Sequence, residues 1–280
     1  MTSVFIIGTG WLGLPLAKKL ISDNLTVHAT KTTQEGASKI SALGVPCHPF
    51  QFDSVNPTAS IQSLVSLLRQ HRCDVIIGSF PPGFRKGSGE EYAQYWQQVT
   101  DAAQQASVSK VIMVSSTTVY PNIAETLNEE QASYAISQSN DKFSDNAKIM
   151  LQAEQYVIDS GLDYAVVRCS GLVGPDRHPS RFASKLKQVS TVAPANMLHL
   201  EDAVGIVSFA LTNISRQVVN ATTPNTVSKA HYYQAALDCV NSKETLPPTN
   251  DIPDKKISAS KILEFGYQFH FQSTLDALND

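Results

Sequence analysis

The sequence predicts an α/β fold, a doubly wound parallel sheet with helices on both faces and a small C-terminal lobe. Three observations carry that prediction. Short β-rich runs alternate with longer helix-like stretches from Val4 to Ala221, the pattern of strand–helix–strand units. Several of the runs are apolar almost throughout, as strands buried on both faces must be. And the stretch VFIIGTGWLGLPLAKKL, Val4 to Leu20, sets three glycines between a strand and a helix.

Taken in order, Val4–Gly8, Thr26–Ala29, Cys47–Phe50, Val75–Gly78, Lys110–Val114, Tyr164–Arg168 and Val218–Ala221 read as strands. Between them Leu12–Ser22, Gln34–Leu43, Thr58–Arg69, Glu90–Ser107, Ala147–Ser160 and Asp202–Leu211 read as helices. Asn56-Pro57 has the form of an N-cap followed by proline at the first helical position. The alternation breaks over Gly171–Asn196, rich in Pro, Ser and Arg, and again from Ser228 onward. Residues 1–170, completed by about 197–227, are therefore expected to form the nucleotide-binding domain, and 171–196 with 228–280 the small substrate lobe.

Composition narrows the function classes. At 280 residues with 42% hydrophobic and 17% charged content, the chain has the makings of a packed core. A net charge of −3 gives no electrostatic reason to expect a nucleic-acid partner. No run approaches the roughly 18 apolar residues that span a bilayer. The four cysteines are dispersed without zinc-site spacing, so no metal is expected and a reduced, cytoplasmic protein is the simplest reading.

The glycines point to chemistry. In Gly8-x-Gly10-x-x-Gly13 the first glycine permits a tight turn, the second lets a pyrophosphate approach the backbone, and the third packs helix against strand. The N–H groups opening the helix then face the phosphate, which places Trp11 and Leu12 in the cofactor contact as well. This is the dinucleotide site of a Rossmann fold. A carboxylate at the end of the second strand would select NAD. The sequence reads VHATKTTQEG instead, with Thr30, Lys31 and Thr32 where that acid would stand. Hydroxyls and one ammonium suit a 2′-phosphate, so NADP(H) is preferred and NAD(H) is the alternative. Lys31 could equally be a solvated loop residue. Asp53, past the third strand, either accepts a hydrogen bond from the adenine amino group or caps the turn leading to Asn56. Ser79, Phe80 and Pro81 follow the fourth strand, where the sheet order reverses and ligands bind.

The segment VIMVSSTTVYPN, Val111 to Asn122, resembles the strand and active-site loop of extended short-chain dehydrogenases/reductases, the NAD(P)-dependent epimerase/dehydratase group. VVRCSGLVGPDRHPSRF, NMLHLEDAVGIV and KKISASKILEFGYQF follow in the family's order, and GWLGLPLA, KTTQEG and GPDRHPSRF resemble its atypical, YeeZ-like branch. The resemblance implies a Rossmann domain with a small substrate lobe, a carbonyl or sugar-like small-molecule substrate, and a homodimer formed through Glu90–Ser107 and Ala147–Ser160. It also implies a catalytic hydroxyl, a tyrosine and a lysine, the last two spaced YxxxK. Ser116 matches the hydroxyl residue, and Lys148 the lysine, as a donor to the cofactor ribose. Four residues before Lys148 stands Ser144, however, and Tyr134 is followed four later by Gln138. Without the tyrosine, two places could supply the proton donor: Tyr120, although the matching residue of the family usually packs and does not react, or the loop holding Arg177, His178 and Arg181, whose charges could also clamp an anionic substrate. His199 and Asp202 match a segment that closes the substrate side and stay outside the catalytic set. An NAD(P)-dependent oxidoreductase is the first reading. A nucleotide-sugar epimerase or dehydratase with bound NAD, and a non-catalytic dinucleotide-binding redox sensor, are its rivals.

Overall fold

The computed structural model describes residues 2–84, 87 and 89–279. Seven parallel strands form the central sheet: β1 Ser3–Ile7, β2 Thr26–Lys31, β3 Cys47–Pro49, β4 Val75–Gly78, β5 Lys110–Ser116, β6 Asp163–Cys169 and β7 Gln217–Ala221. Their order across the sheet is β7-β6-β5-β4-β1-β2-β3, so the strand order reverses between β1 and β4 while all strands stay parallel. All five residues of β1 and all four of β4 are buried, which accounts for their nearly unbroken apolar sequence, with Ser3 the one polar exception.

The main helices are α1 Gly13–Ser22, α2 Gln34–Ser41, α3 Pro57–Gln70, α4 Tyr92–Gln105, α5 Asp145–Ile158, α6 Leu200–Asn213 and α7 Lys229–Cys239. On one face, alternate strand residues such as Phe5, Ile76, Met113 and Val166 pack with Leu64, Trp96 and Leu151 of α3, α4 and α5. Their neighbours Val4, Ile77, Ile112 and Val167 pack on the other face with Leu16, Ile40 and Val207 of α1, α2 and α6. The period-two alternation of a strand thus splits one apolar sequence between two cores. Local chemistry sets the helix starts. Asn56 Oδ1 accepts from Ala59 N with Pro57 at the first turn, and Thr33 Oγ1 accepts from Gly36 N.

Segments outside this sheet pair among themselves. Gly171–Val173 runs parallel to Met197–His199, Val189–Ser190 to Thr249–Asn250, and Lys256–Ile257 to Thr126–Leu127. A third, small core joins Ala195, Tyr232, Ala236 and Leu278. Helix α7 stands in a region the sequence reads as irregular, because its buried residues, Tyr232, Ala236 and Leu237, leave too narrow a stripe to show as periodicity. No helix among the described residues is long and apolar enough to cross a membrane.

Candidate dinucleotide and active site

The glycine turn sits at the C-terminal end of β1, beside the point where strand order reverses, which is where open α/β sheets bind ligands. Each glycine has a different environment. Gly8 adopts φ +97° against the Phe80 backbone. A methyl group on Gly13 would lie 2.2 Å from the Gly8 carbonyl oxygen and 2.7 Å from the Ser79 hydroxyl. A methyl on Gly10 would meet no heavy atom within 4 Å. The first and third glycines are therefore required by the protein's own packing, while Gly10 leaves an open approach to the backbone. Leu12 stands at the N-cap of α1 and offers the first turn no side-chain hydrogen bond. Leu14 N donates to the Gly10 carbonyl and Pro15 carries no N–H, so the Leu12 and Gly13 N–H groups are the ones left at the start of α1 for an anion. A pyrophosphate fits this arrangement.

The residues around the turn divide into braces and rim. Thr30, 2% exposed, accepts from Gly8 N through Oγ1, and its carbonyl accepts from Thr9 N and the Thr9 hydroxyl. Ser79 Oγ donates to the Gly8 carbonyl at 2.7 Å, and Phe80 stacks on Trp96 with ring centroids 5.0 Å apart. Thr30 and Ser79 shape the turn from behind; the expectation that the Thr30 hydroxyl meets a cofactor 2′-phosphate is corrected by its burial and its bond to Gly8 N. Pro81 and Thr32 are exposed, and Lys31 is half-buried and enters no ion pair among the described residues. The first carboxylate past β2, Glu35, lies in the first turn of α2 and pairs with Lys39. Asp53 Oδ1 accepts from Val55 N and Asn56 N at 2.8 Å, so it fixes the turn into α3.

At the end of β5, Ser116 caps a tight turn over Thr117–Val119, accepting from Thr118 N at 3.2 Å with the Thr118 hydroxyl 3.0 Å away. Helix α5, which carries the half-buried Lys148, packs against that turn. Ser144 is the N-cap of α5, its hydroxyl accepting from Ala147 N. The position four before Lys148 thus serves the helix terminus.

Tyr120 requires a correction. It is 1% exposed, donates to Asn220 Oδ1 at 2.6 Å and accepts from Arg168 at 3.1 Å. Burial, outweighing the Arg168 charge, raises its pKa to about 12. A sealed phenol with both hydrogen bonds committed inside the core cannot exchange a proton with substrate, so it leaves the list of replacement acids.

Tyr120 belongs instead to a buried polar network that sequence patterning missed. Arg168 is 1% exposed and forms a bidentate pair with Glu154 of α5, at 2.7 Å from Nη2 and 3.1 Å from Nε. It also donates to the carbonyls of Glu129 and Ala132. Glu154 accepts from the Ser115 hydroxyl at 2.6 Å, and Glu129 from Asn220 N at 2.7 Å. The network clamps the ends of β5, β6 and β7 to α5, and so holds Ser116 and Lys148 in fixed relation. The one visible signal was a charged residue inside the strand sequence VVRC.

The loop after β6 closes over the glycine turn. The Arg177 guanidinium stacks on Trp11, 4.3 Å from the ring centroid. Arg181 donates to the Asp176 carbonyl and braces the loop. His178 Nε2 lies 3.2 Å from the Leu278 carbonyl, which only accepts, so Nδ1 accepts from the Ser180 hydroxyl at 2.8 Å. His178 thereby ties the loop to the C-terminal segment. Of the three residues, Arg177 alone is brought to the cofactor turn.

Comparison with known proteins agrees with this geometry. A family model described as NAD(P)H-binding matches residues 8–196. Protein YeeZ of Escherichia coli K12 is 28% identical over 215 residues, covering 75% of this chain and 73% of that protein. Among solved structures, UDP-glucose 4-epimerase from Thermotoga maritima with UDP-glucose superposes with a TM-score of 0.76 at 13% identity, covering 99% of this chain and 96% of that one. WbmG of Bordetella bronchiseptica, in complex with NAD and UDP, gives 0.76 at 16% identity over 98% and 93%. The fold is therefore the one these structures share, and the chain belongs to the NAD(P)H-binding family.

Proposed function

We propose that the protein is an oxidoreductase of the extended short-chain type that prefers NADP(H) and acts on a small carbonyl or sugar-like substrate. The observation that carries the cofactor preference is the end of β2. Lys31 stands there without an ion-pair partner among the described residues, and Glu35, the nearest following carboxylate, is drawn to Lys39. An ammonium attracts a 2′-phosphate, and the absence of a carboxylate removes both repulsion and the diol acceptor that would favour NAD. Gly10 and the start of α1 would hold the pyrophosphate. Arg177, held on Trp11, would add a positive charge beside it.

The bound nicotinamide would supply or accept hydride; the protein's part is to bind, orient and polarise. Ser116 would hydrogen-bond the substrate oxygen and Lys148 the cofactor ribose. With Ser144 spent on the helix terminus and Tyr120 sealed, proton exchange falls to water or to the substrate's own hydroxyls. That arrangement is slower than one with a positioned acid, whose contribution is about 10²–10⁴ in rate. Beyond the Ser116 turn, a cavity of about 380 Å³ is lined by polar residues such as Asn122, Ser190 and Asn250 and by apolar ones such as Ile123, Ile252 and Pro253. It is the candidate substrate chamber, and its polar groups could bond the hydroxyls of a substrate.

Calorimetric titration with NADPH, NADH, NADP⁺ and NAD⁺ on wild type and Lys31→Ala tests the reading. NADPH is expected to bind more tightly than NADH, and Lys31→Ala to erase about tenfold of that difference, the size of one charge-assisted hydrogen bond. Equal affinity of wild type for NADH and NADPH would refute the preference. Absence of any nicotinamide nucleotide binding would remove the enzyme reading with it.

A further inference from the structure

Three of the seven histidines in the chain meet at the far edge of the sheet. His28 is in β2, His48 in β3, and His71 is the C-cap of α3. Strand alternation explains the first two. His28 and Thr30 point to the same face, and His48 pairs with Thr30 in register, so His48 is the diagonal neighbour of His28 on the face that α3 covers. Helix α3 then ends over that corner and delivers His71, whose carbonyl accepts from the Ser3 hydroxyl at the start of β1. One ring nitrogen from each histidine lies within 4.8 Å of the other two. His28 Nδ1 and His48 Nε2 are 3.2 Å apart. His71 Nε2 is sealed from solvent with no hydrogen-bond partner.

We infer that His28, His48 and His71 form a binding site for one divalent transition-metal ion of the zinc class. Three imidazoles and no carboxylate are a donor set for Zn²⁺, Cu²⁺ or Ni²⁺, not for Mg²⁺ or Ca²⁺. Zn–N bonds of about 2.0–2.1 Å in tetrahedral geometry separate ligand nitrogens by roughly 3.3 Å, close to the His28–His48 spacing. The rings are stacked, His71 lying 3.8 Å from His28 and 4.5 Å from His48 between centroids, so they must turn out of the stack for the three nitrogens to converge on one ion. The buried Nε2 of His71 would gain the partner it lacks. Binding asks for the proton shared between His28 and His48 to move to a far ring nitrogen, with no net charge change at the imidazoles.

The location says what the ion would do. His71 lies beside Ser3, at the N-terminal end of the sheet, opposite the glycine turn. β3 is the edge strand and only three residues long. An ion there would fasten that edge strand to α3 and take no part in hydride transfer.

The test uses untagged full-length protein, stripped with EDTA and dialysed. Titration with ZnCl₂ is expected to show one equivalent bound, with a rise in melting temperature that MgCl₂ does not reproduce. His48→Ala and His71→Ala should each weaken Zn²⁺ binding by at least about tenfold, and the exposed His231→Ala should not. With CuCl₂ the native protein should give an electron paramagnetic resonance spectrum with coupling to three nitrogens, a readout independent of whether the variants fold. Absence of a saturable equivalent, coupling to fewer than three nitrogens, or unchanged affinity in His28→Ala/His48→Ala/His71→Ala would overturn the assignment.

Discussion

Two alanine substitutions three residues apart should separate folding from cofactor binding. At Gly13 the new methyl would stand 2.2 Å from the Gly8 carbonyl oxygen, so turn and helix must part by about 1 Å to restore ordinary contact. The obstacle is backbone, and that backbone is pinned: Thr30 holds Gly8 N and the Ser79 hydroxyl holds its carbonyl. Overpacking of this kind costs about 1–3 kcal/mol, and a rigid neighbour argues for the upper end. For a chain of 280 residues, with an unfolding entropy of about 2.1 cal/mol/K per residue, 3 kcal/mol lowers the melting temperature by about 5 °C. At Gly10 the methyl meets nothing within 4 Å, so stability should change by less than about 1 kcal/mol. The methyl does occupy the approach to the backbone, and dinucleotide affinity should fall by at least about tenfold, the cost of losing a single good contact. Differential scanning fluorimetry and calorimetric titration with NADPH read the two effects separately. Wild-type affinity in Gly10→Ala would refute the pyrophosphate placement, and a wild-type melting temperature in Gly13→Ala would refute the packing argument.

Two further outcomes follow from the buried charges. Glu154→Gln leaves the Arg168 guanidinium, 1% exposed, without its counter-ion, and should destabilise by about 3–5 kcal/mol in urea unfolding, while Glu154→Gln with Arg168→Met should cost less than either change alone. A loss below about 1 kcal/mol for Glu154→Gln would show that the pair is not the clamp of β6 on α5. Asp163 gives a pH dependence. Burial alone would raise its pKa, but the Ser215 hydroxyl, Lys110 and Arg216 N together hold it below the ordinary 3.8. A carboxyl lowered on folding contributes stability that is complete above pH 3.8 and is lost as pH falls through its folded value. The stability gap between wild type and Asp163→Asn should therefore narrow from pH 7 to pH 3; a gap of constant size would contradict the assignment.

What the sequence could show, and what it could not, follows the distance between interacting residues along the chain. The glycine turn was legible because strand, turn and helix are contiguous, and the structure gives each glycine the environment its place in the motif implies. The Asn56-Pro57 helix start was legible for the same reason. Arg168 was not: its partners lie 14, 36, 39 and 48 residues away, and a strand arginine does not say what it meets. The same blindness made Tyr120 look like an acid. A phenol near Ser116 carries the right chemistry in any sequence, and only its bonds to Asn220 and Arg168, residues of two other strands, show that its hydroxyl turns inward. The histidines escaped in the opposite direction. His28, His48 and His71 have none of the short spacings of a metal motif, because β2, β3 and the end of α3 each supply one. Strand alternation places His28 and Thr30 on one face, but the register that sets His48 beside them, and the length of α3 that carries His71 back to that corner, exist only once the edge of the sheet has formed. Residues that act alone or with close neighbours can be read from sequence; those recruited by the crossovers of the sheet need the fold, and in this chain they include both the clamp behind Ser116 and the candidate metal ligands.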